Sequence, residues 1–292
     1  QRVLAYELVV VSMIAAMKLD DTYTPLISLD VLNNAIDGLK VGKAVDNTGL
    51  NAEAMKATLP SYRVKLLSLL NSRADAVCTD EVKSWQNVTA LLFPKSPQSN
   101  DVSDFRPIAI LTIMHKLYMK CLLIIVQQFI TLDGWIQYGS RKHYQGIEIV
   151  HCIRLLIEKS LEWGTGIVIL SLDIKKAFDS VNIKAFIDMF EQLEVPMRIR
   201  YAILKEMVDD RKTSFQVFGI QTEYIDMNRG LRQGSPEAGY LFAALINLIL
   251  TKMHKKWQLE GLGIHLGKFG GSKNAYAKWF SKYKHTCFDF DP

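Results

Sequence analysis

Three short segments carry residue types that could do chemistry on phosphates. In Leu170-Ser171-Leu172-Asp173-Ile174-Lys175-Lys176-Ala177-Phe178-Asp179, an apolar run delivers one carboxylate, Asp173, to what reads as the end of a buried strand. A carboxylate is costly to bury unless it is paired or holds a metal, so a strand-end Asp can offer itself to a divalent cation. It can equally cap the helix that follows. In Gly230-Leu231-Arg232-Gln233-Gly234-Ser235-Pro236, glycine permits close backbone approach, the Arg232 guanidinium suits phosphate oxygens, and Gln233 both donates and accepts. The same string also fits an ordinary turn ahead of a helix capped by Ser235 with Pro236 in its first position. Asp104-Phe105-Arg106-Pro107-Ile108-Ala109-Ile110 holds an arginine beside a rigid proline, and its plainer reading is a surface arginine before a helix.

The elements that must position these segments follow from hydrophobic periodicity and turn chemistry. Leu26–Leu39 and Ala52–Leu70 have helical spacing, the second interrupted at Pro60, with the turn-forming stretch Gly42–Gly49 between them. Trp85–Phe93 is apolar enough for a strand, and after Pro107 a helix-like apolar run covers Ile108–Ile130. A helix over Ile147–Trp163 stops at Gly164, and the β-branched run Gly166–Asp173 reads as a fully buried strand. Helices are expected over Ile183–Leu193 and Pro196–Val208. A hairpin around Gly219 should pair Phe215–Phe218 with Glu223–Asp226, and a strongly apolar helix should cover Tyr240–Trp257.

Composition sets the outer bounds. With 292 residues, 49% hydrophobic and 22% charged, the chain can bury a substantial core. The formal net charge of +5 is uneven: Thr251–Pro292 alone has 8 lysines against 3 acidic residues. A basic end can neutralise nucleic-acid phosphates, or be a solvated surface. Cys78, Cys121, Cys152 and Cys287 show no Cys-x-x-Cys spacing, so they read as reduced thiols of an intracellular protein, nucleus and cytoplasm not being distinguished. Val3–Met17 is apolar but contains Glu7 and falls short of the roughly 20 residues that cross a bilayer, so no membrane partner is expected. A chain that begins with Gln1 is expected to be a fragment.

Singly weak, the blocks agree in order with one family. Lys43-Ala44 with Gly49-Leu50 and Glu53, Trp85 through Lys95, Phe105-Arg106-Pro107-Ile108 and Lys116-Leu117 all resemble reverse transcriptases of non-long-terminal-repeat (non-LTR, LINE-like) retrotransposons. So do Gln137-Tyr138-Gly139 with Arg141, the Asp173 segment, and Arg232-Gln233-Gly234-Ser235-Pro236. The departures are Val45, Asp46 and Thr48 in the first block, Ser140 where the family has an aromatic, and Ala238-Gly239 in the last. A group II intron maturase shares the palm motifs but fits the Lys43 block less well.

The resemblance implies an α+β right-hand polymerase: helical fingers, a partial palm with an antiparallel sheet packed on helices, and no thumb. It divides the chain into a helical N-terminal region (1–84), fingers and palm (85–265) and a divergent basic tail (266–292). It implies an RNA-directed DNA polymerase working with two Mg²⁺ ions on an RNA template, a DNA primer and deoxynucleoside triphosphates. Asp173 would ligate both ions, with the Ile174 carbonyl as a further ligand. Arg106 and, more weakly, Lys95 would hold the triphosphate, Phe178 would crowd the sugar 2′ side, and Arg232, Gln233 and Gly234 would line the nucleotide and template pocket. The family's aromatic-x-Asp-Asp block is absent; Phe288-Asp289-Phe290-Asp291 separates its acids by one residue. The chain alone is therefore expected not to polymerise DNA, which leaves a nucleic-acid-binding remnant of a decayed or frameshifted element as the alternative.

Overall fold

The structure is a computed structural model that describes residues 24–260, apart from residues 44, 47, 76–84, 86, 99–100, 102–103, 135, 165–166, 170, 209–210 and 228–229. The N-terminal apolar stretch, Cys78, Cys287 and the basic tail beyond residue 260 lie outside the described residues. Two compact units divide the chain: residues 1–131 with 175–242, and residues 132–174 with 243–292.

The first unit is built on one nearly all-apolar helix. Helices α1 (Leu29–Asp37), α2 (Ala52–Lys56) and α3 (Pro60–Ala74) precede strands β1 (Val88–Pro94) and β2 (Phe105–Ile110), and α4 (Ile113–Val126) follows. Ser28 caps α1 by accepting from the Val31 amide, and Leu32, Ala35 and Ile36 form the buried face. Helix α4 starts at Thr112, whose hydroxyl accepts from the His115 amide, and it buries Leu117, Tyr118, Met119, Cys121 and Leu122 among others. Burial pushes the Cys121 thiol up to about 12, so this cysteine packs as an inert apolar side chain.

The expected helix over Ile108–Ile130 is corrected at its start: Phe105–Ile110 is a strand, and the helix begins only at Ile113. Pro107 disfavours helical backbone at the residue before it, and Thr112 supplies a cap that fixes the helix start.

After α4 the first unit resumes with α6 (Ala177–Ser180), α7 (Ile183–Gln192) and α8 (Met197–Val208). Strands β3 (Lys212–Val217), β4 (Ile220–Gln221) and β5 (Ile225–Asp226) complete its sheet. The strand order is β2-β1-β3-β4, with β5 also paired to β3. A hairpin turns at Gly219, with Phe218 and Gly219 both at positive φ, but the expected pairing is corrected: Gln216–Val217 pair with Ile220–Gln221, and Ile225–Asp226 pair with Lys212–Thr213. The sheet is mixed, not antiparallel throughout, because β1 and β3 run parallel. Sheet and helices together give the expected α+β class. Pro107, which lacks an amide hydrogen, is accommodated because β2 is the terminal strand.

Alternation along β2 separates its two faces: Arg106, Ile108 and Ile110 are exposed, whereas Pro107 and Ala109 face the same side as Ala90, Thr213 and Phe215. Arg73 of α3 donates to Glu206 of α8 at 2.8 and 3.1 Å, both side chains 2% exposed. This two-pronged pair locks the helices together.

In the second unit, α5 (Gly146–Trp163) opens with a Gln145–Glu148 capping box and closes on Gly164 at φ 66°. The block around Gln137 is tied to helix α9 (Ala238–Leu259), which begins in the first unit and continues in the second. The Asp133 amide donates to Asn247 Oδ1 at 3.0 Å, and Gln137 Nε2 to the Ala243 carbonyl at 3.3 Å. Arg141 donates to the Asp133 and Gln137 carbonyls and lies 3.8 Å over the Tyr144 ring.

The expected buried strand Gly166–Asp173 is a correction. Among its described residues none is in a strand, and Val168 and Leu172 are 88% and 79% exposed. A strand exists through the neighbour that completes its ladder, and no described segment pairs with this one. Asp173 therefore sits in exposed chain outside any helix or strand.

Candidate functional site

The loop Gly230–Gly234 is pinned from both sides inside the first unit. On one side, the Gly230 amide donates to the Val181 carbonyl at 3.1 Å and the Leu231 amide to the Phe178 carbonyl at 2.8 Å. On the other, the Ala109 amide donates to the Gln233 carbonyl at 2.8 Å, so the loop occupies part of the open edge of β2. Both glycines are required. Gly230 (φ 82°) has no room for a Cβ, which would lie 2.8 Å from Asp179 Cα and 2.9 Å from the Phe178 carbonyl. At Gly234 (φ 108°) a Cβ would lie 2.9 Å from the Ala109 carbonyl.

One loop thus joins three predicted segments. Gln233 and Gly234 lie against β2, which also carries Arg106, three residues and so about 10 Å along the strand from Ala109. Lys95 follows β1, and its amide donates to the Asp104 carbonyl at 2.8 Å, just before β2. The Phe178 ring packs on Phe242 at 5.2 Å between centroids. Asp173 and Ile174 belong to the second unit, both exposed.

Behind the loop lies a cavity of about 430 Å³. Ala90, Pro107, Ala109, Thr213 and Phe215 of the sheet line it together with Asp179, Arg211, Asp226, Arg232 and Gln233. Arg106 is on the opposite, exposed face of β2. Burial raises the Asp179 carboxyl above its ordinary value, with Lys176 opposing. Burial, followed by repulsion from Arg211, brings Arg232 down to about 10, still cationic at neutral pH. Glu237 is raised by burial and accepts from the Ser235 hydroxyl.

Two contributors escape a reading of the sequence. Arg211 is buried and donates to the carbonyls of Met207 (2.9 Å) and Gly230 (3.0 Å). Asp46 departs from the family block, yet it accepts from the Ile113 amide at 2.6 Å and from Thr48 and Leu50, fastening its loop to the start of α4. Burial pushes its carboxyl up, but these hydrogen bonds outweigh that and hold it below the ordinary value. No local signal marks Arg211, whose partners are backbone carbonyls, and Asp46 shows locally only its turn with Thr48, not its bond to Ile113.

Among the described residues no group of three His, Cys, Asp or Glu side chains converges to hold a metal ion. Among them Asp173 has no companion set of the kind that two divalent ions require, and the described residues do not fit a metal pair by themselves.

Comparison with known proteins places the chain. Residues 93–275 match the family model described as reverse transcriptase (RNA-dependent DNA polymerase). A Retrovirus-related Pol polyprotein from type-1 retrotransposable element R2 of Nasonia vitripennis is 27% identical over 173 residues, 56% of this chain and 16% of the relative. The protein of the same name from Popillia japonica is 25% identical over 251 residues, 85% of this chain and 33% of the relative. The Transposon TX1 uncharacterized 149 kDa protein of Xenopus laevis is 25% identical over 184 residues, 61% of this chain and 14% of the relative. The chain spans a third or less of the length of these relatives. The matched segment covers the loop, β2 and the Asp173 run from which the resemblance was read, and on it the chain belongs to the reverse transcriptase (RNA-dependent DNA polymerase) family.

Proposed function

We propose that this chain forms the fingers and part of the palm of the RNA-directed DNA polymerase of a non-LTR retrotransposon, acting on an RNA template, a DNA primer and deoxynucleoside triphosphates. The observation that carries this reading is the Gly230–Gly234 loop, seated on the edge of the strand that bears Arg106. Gln233, Gly234 and Arg232 then meet nucleotide and template, Arg106 with Lys95 binds the triphosphate, and Phe178 crowds the sugar 2′ position. Residues 1–84 form the helical N-terminal region, 85–265 the fingers and palm, and 266–292 a basic tail in an intracellular protein. No described helix is long and apolar enough to cross a membrane.

Members of this family work with divalent metal ions, and Mg²⁺ held by Asp173 and the Ile174 carbonyl is the expected form. One carboxylate does not offset two such ions, and no described group of ligands completes the set. The chain by itself is therefore expected not to extend a primer. The retrotransposable-element names of its relatives favour this reading over a maturase. Exposed Lys252, Lys255 and Lys256 near the end of α9 favour a second, non-catalytic reading, in which the chain only binds nucleic acid.

The test is photolabelling of the full chain with an azido-deoxynucleoside triphosphate in the presence of an RNA template and DNA primer. Label is expected on Phe105–Ile110 and on Gly230–Gly234, and Gly234→Val should abolish it. Label that ignores Gly234→Val sinks the nucleotide-contact reading. Mg²⁺-dependent primer extension that Asp173→Asn removes would sink the expected inactivity.

A further inference from the structure

We infer that Arg211 is the positioning residue of the Gly230–Gly234 loop: its guanidinium clamps the loop's first carbonyl to the end of α8. The inference rests on the nucleotide-contact reading only for its consequence on ligand binding.

Arg211 stands where three backbone stretches meet. Its side chain, 4% exposed, reaches back to the Met207 carbonyl at 2.9 Å and across to the Gly230 carbonyl at 3.0 Å, both from Nη1. Its own carbonyl accepts from the Met227 amide at 2.7 Å. That bond closes the base of the β3–β5 excursion, where Lys212 pairs with Asp226. The β3–β5 segment closes on itself between residues 211 and 227 and the loop starts at 230, so one arginine fixes both where the loop begins and how it is aimed.

The rest of the loop needs this fixation. Gly230 is in left-handed conformation and packed against the backbone of Phe178 and Asp179, and Gln233 must arrive at Ala109 in hydrogen-bonding register. A small shift of Gly230 would be carried into Gln233 and Gly234, because backbone hydrogen bonds to β2 and α6 hold the loop at both ends. Arg211 also lines the cavity with Arg232. The guanidinium donates to carbonyl dipoles, and Glu237 adds a favourable charge interaction. A neutral side chain of similar length would lose the charge-assisted part of this bonding.

Hydrogen exchange on the full chain tests the inference through Arg211→Gln, with Arg211→Lys as the variant that keeps the buried charge. Exchange at the Gly230, Leu231 and Ala109 amides should rise about tenfold in Arg211→Gln, the effect of losing one charge-assisted hydrogen bond, and by less in Arg211→Lys. Amides in α1 and the middle of α4 should keep their protection in both. If Arg211→Gln fails to fold, Arg211→Lys alone decides. Selective loosening of the three amides supports positioning, while a uniform rise across α1 and α4, or no change at all, overturns it. Binding of deoxynucleoside triphosphate separates the two readings. Selective loosening with weaker binding supports both, and selective loosening with unchanged binding keeps Arg211 as a positioning residue while removing the nucleotide role of the loop.

Discussion

The Gly230–Gly234 loop and the Asp173 run are both recognisable as motifs, yet they differ in how the fold treats them. The loop is held by backbone hydrogen bonds on two sides and has no room for a Cβ at either glycine. The Asp173 run is exposed, outside any helix or strand, and without a paired strand among the described residues. The loop's identity is enforced by packing within its own unit. The identity of Asp173 is not, so its residue type has to be explained by what it would bind, not by what it holds in place. A residue that the fold does not need is the sharper functional candidate.

That contrast is broken most directly at Gly230. Valine there meets backbone atoms at 2.8 and 2.9 Å and sits in a region that β-branched residues avoid. Strain and overpacking together should cost about 4 kcal/mol. Urea unfolding followed by circular dichroism is the measurement, and a loss under about 1 kcal/mol would mean that the loop is free to move away from α6.

Next in size is a pH effect from the buried cluster behind the loop. His115 is buried, with Nδ1 3.8 Å from Glu206, and Arg232, Arg73 and Arg211 nearby. Burial outweighs the carboxylate and brings the imidazole down from 6.5 to about 4, so it is neutral in the fold at neutral pH. Between those values the unfolded chain binds a proton that the folded chain does not. The stability that His115 contributes should therefore fall by about 3 kcal/mol as pH drops from about 6.5 to about 4. It is read as the difference between wild type and His115→Gln, because the buried Glu237 carboxyl, raised by burial, shifts stability the opposite way as pH falls. Glu206, which Arg73 holds below its ordinary value against the opposing effect of burial, keeps its contribution until the pH falls further. A His115→Gln profile that runs parallel to wild type between these pH values would show that the imidazole is open to water.

The fold was legible where periodicity and caps agree. Helices α1, α5, α7, α8 and α9 fall where apolar spacing, Gly164 and Pro196 place them, and Gly219 marks the hairpin turn. Two misreadings share a cause. The apolar residues of Ile108–Ile110 and Gly166–Asp173 fit either element, and the choice depends on partners elsewhere in the chain. β2 found β1, and the Asp173 run found no described partner. At the site, the need for glycine at Gly230 and Gly234 was legible from residue type, whereas Gln233 meets β2 through its backbone carbonyl. Arg211 was not legible, because its hydrogen bonds go to backbone carbonyls, which any sequence supplies.

The smallest expected effect sharpens the contrast most. Asp173→Asn should change stability by less than about 0.5 kcal/mol, since the residue is exposed and outside any helix or strand, and surface changes away from packed features stay in that range. The same unfolding measurement applied to Gly230→Val and Asp173→Asn then separates a motif residue that holds the fold from one that the fold merely displays. A loss of 2 kcal/mol or more at Asp173, of about the size expected for breaking a buried polar contact, would mean that the carboxylate is engaged in solution. It would then be a structural residue, and the argument that its type reflects a ligand would lose its support.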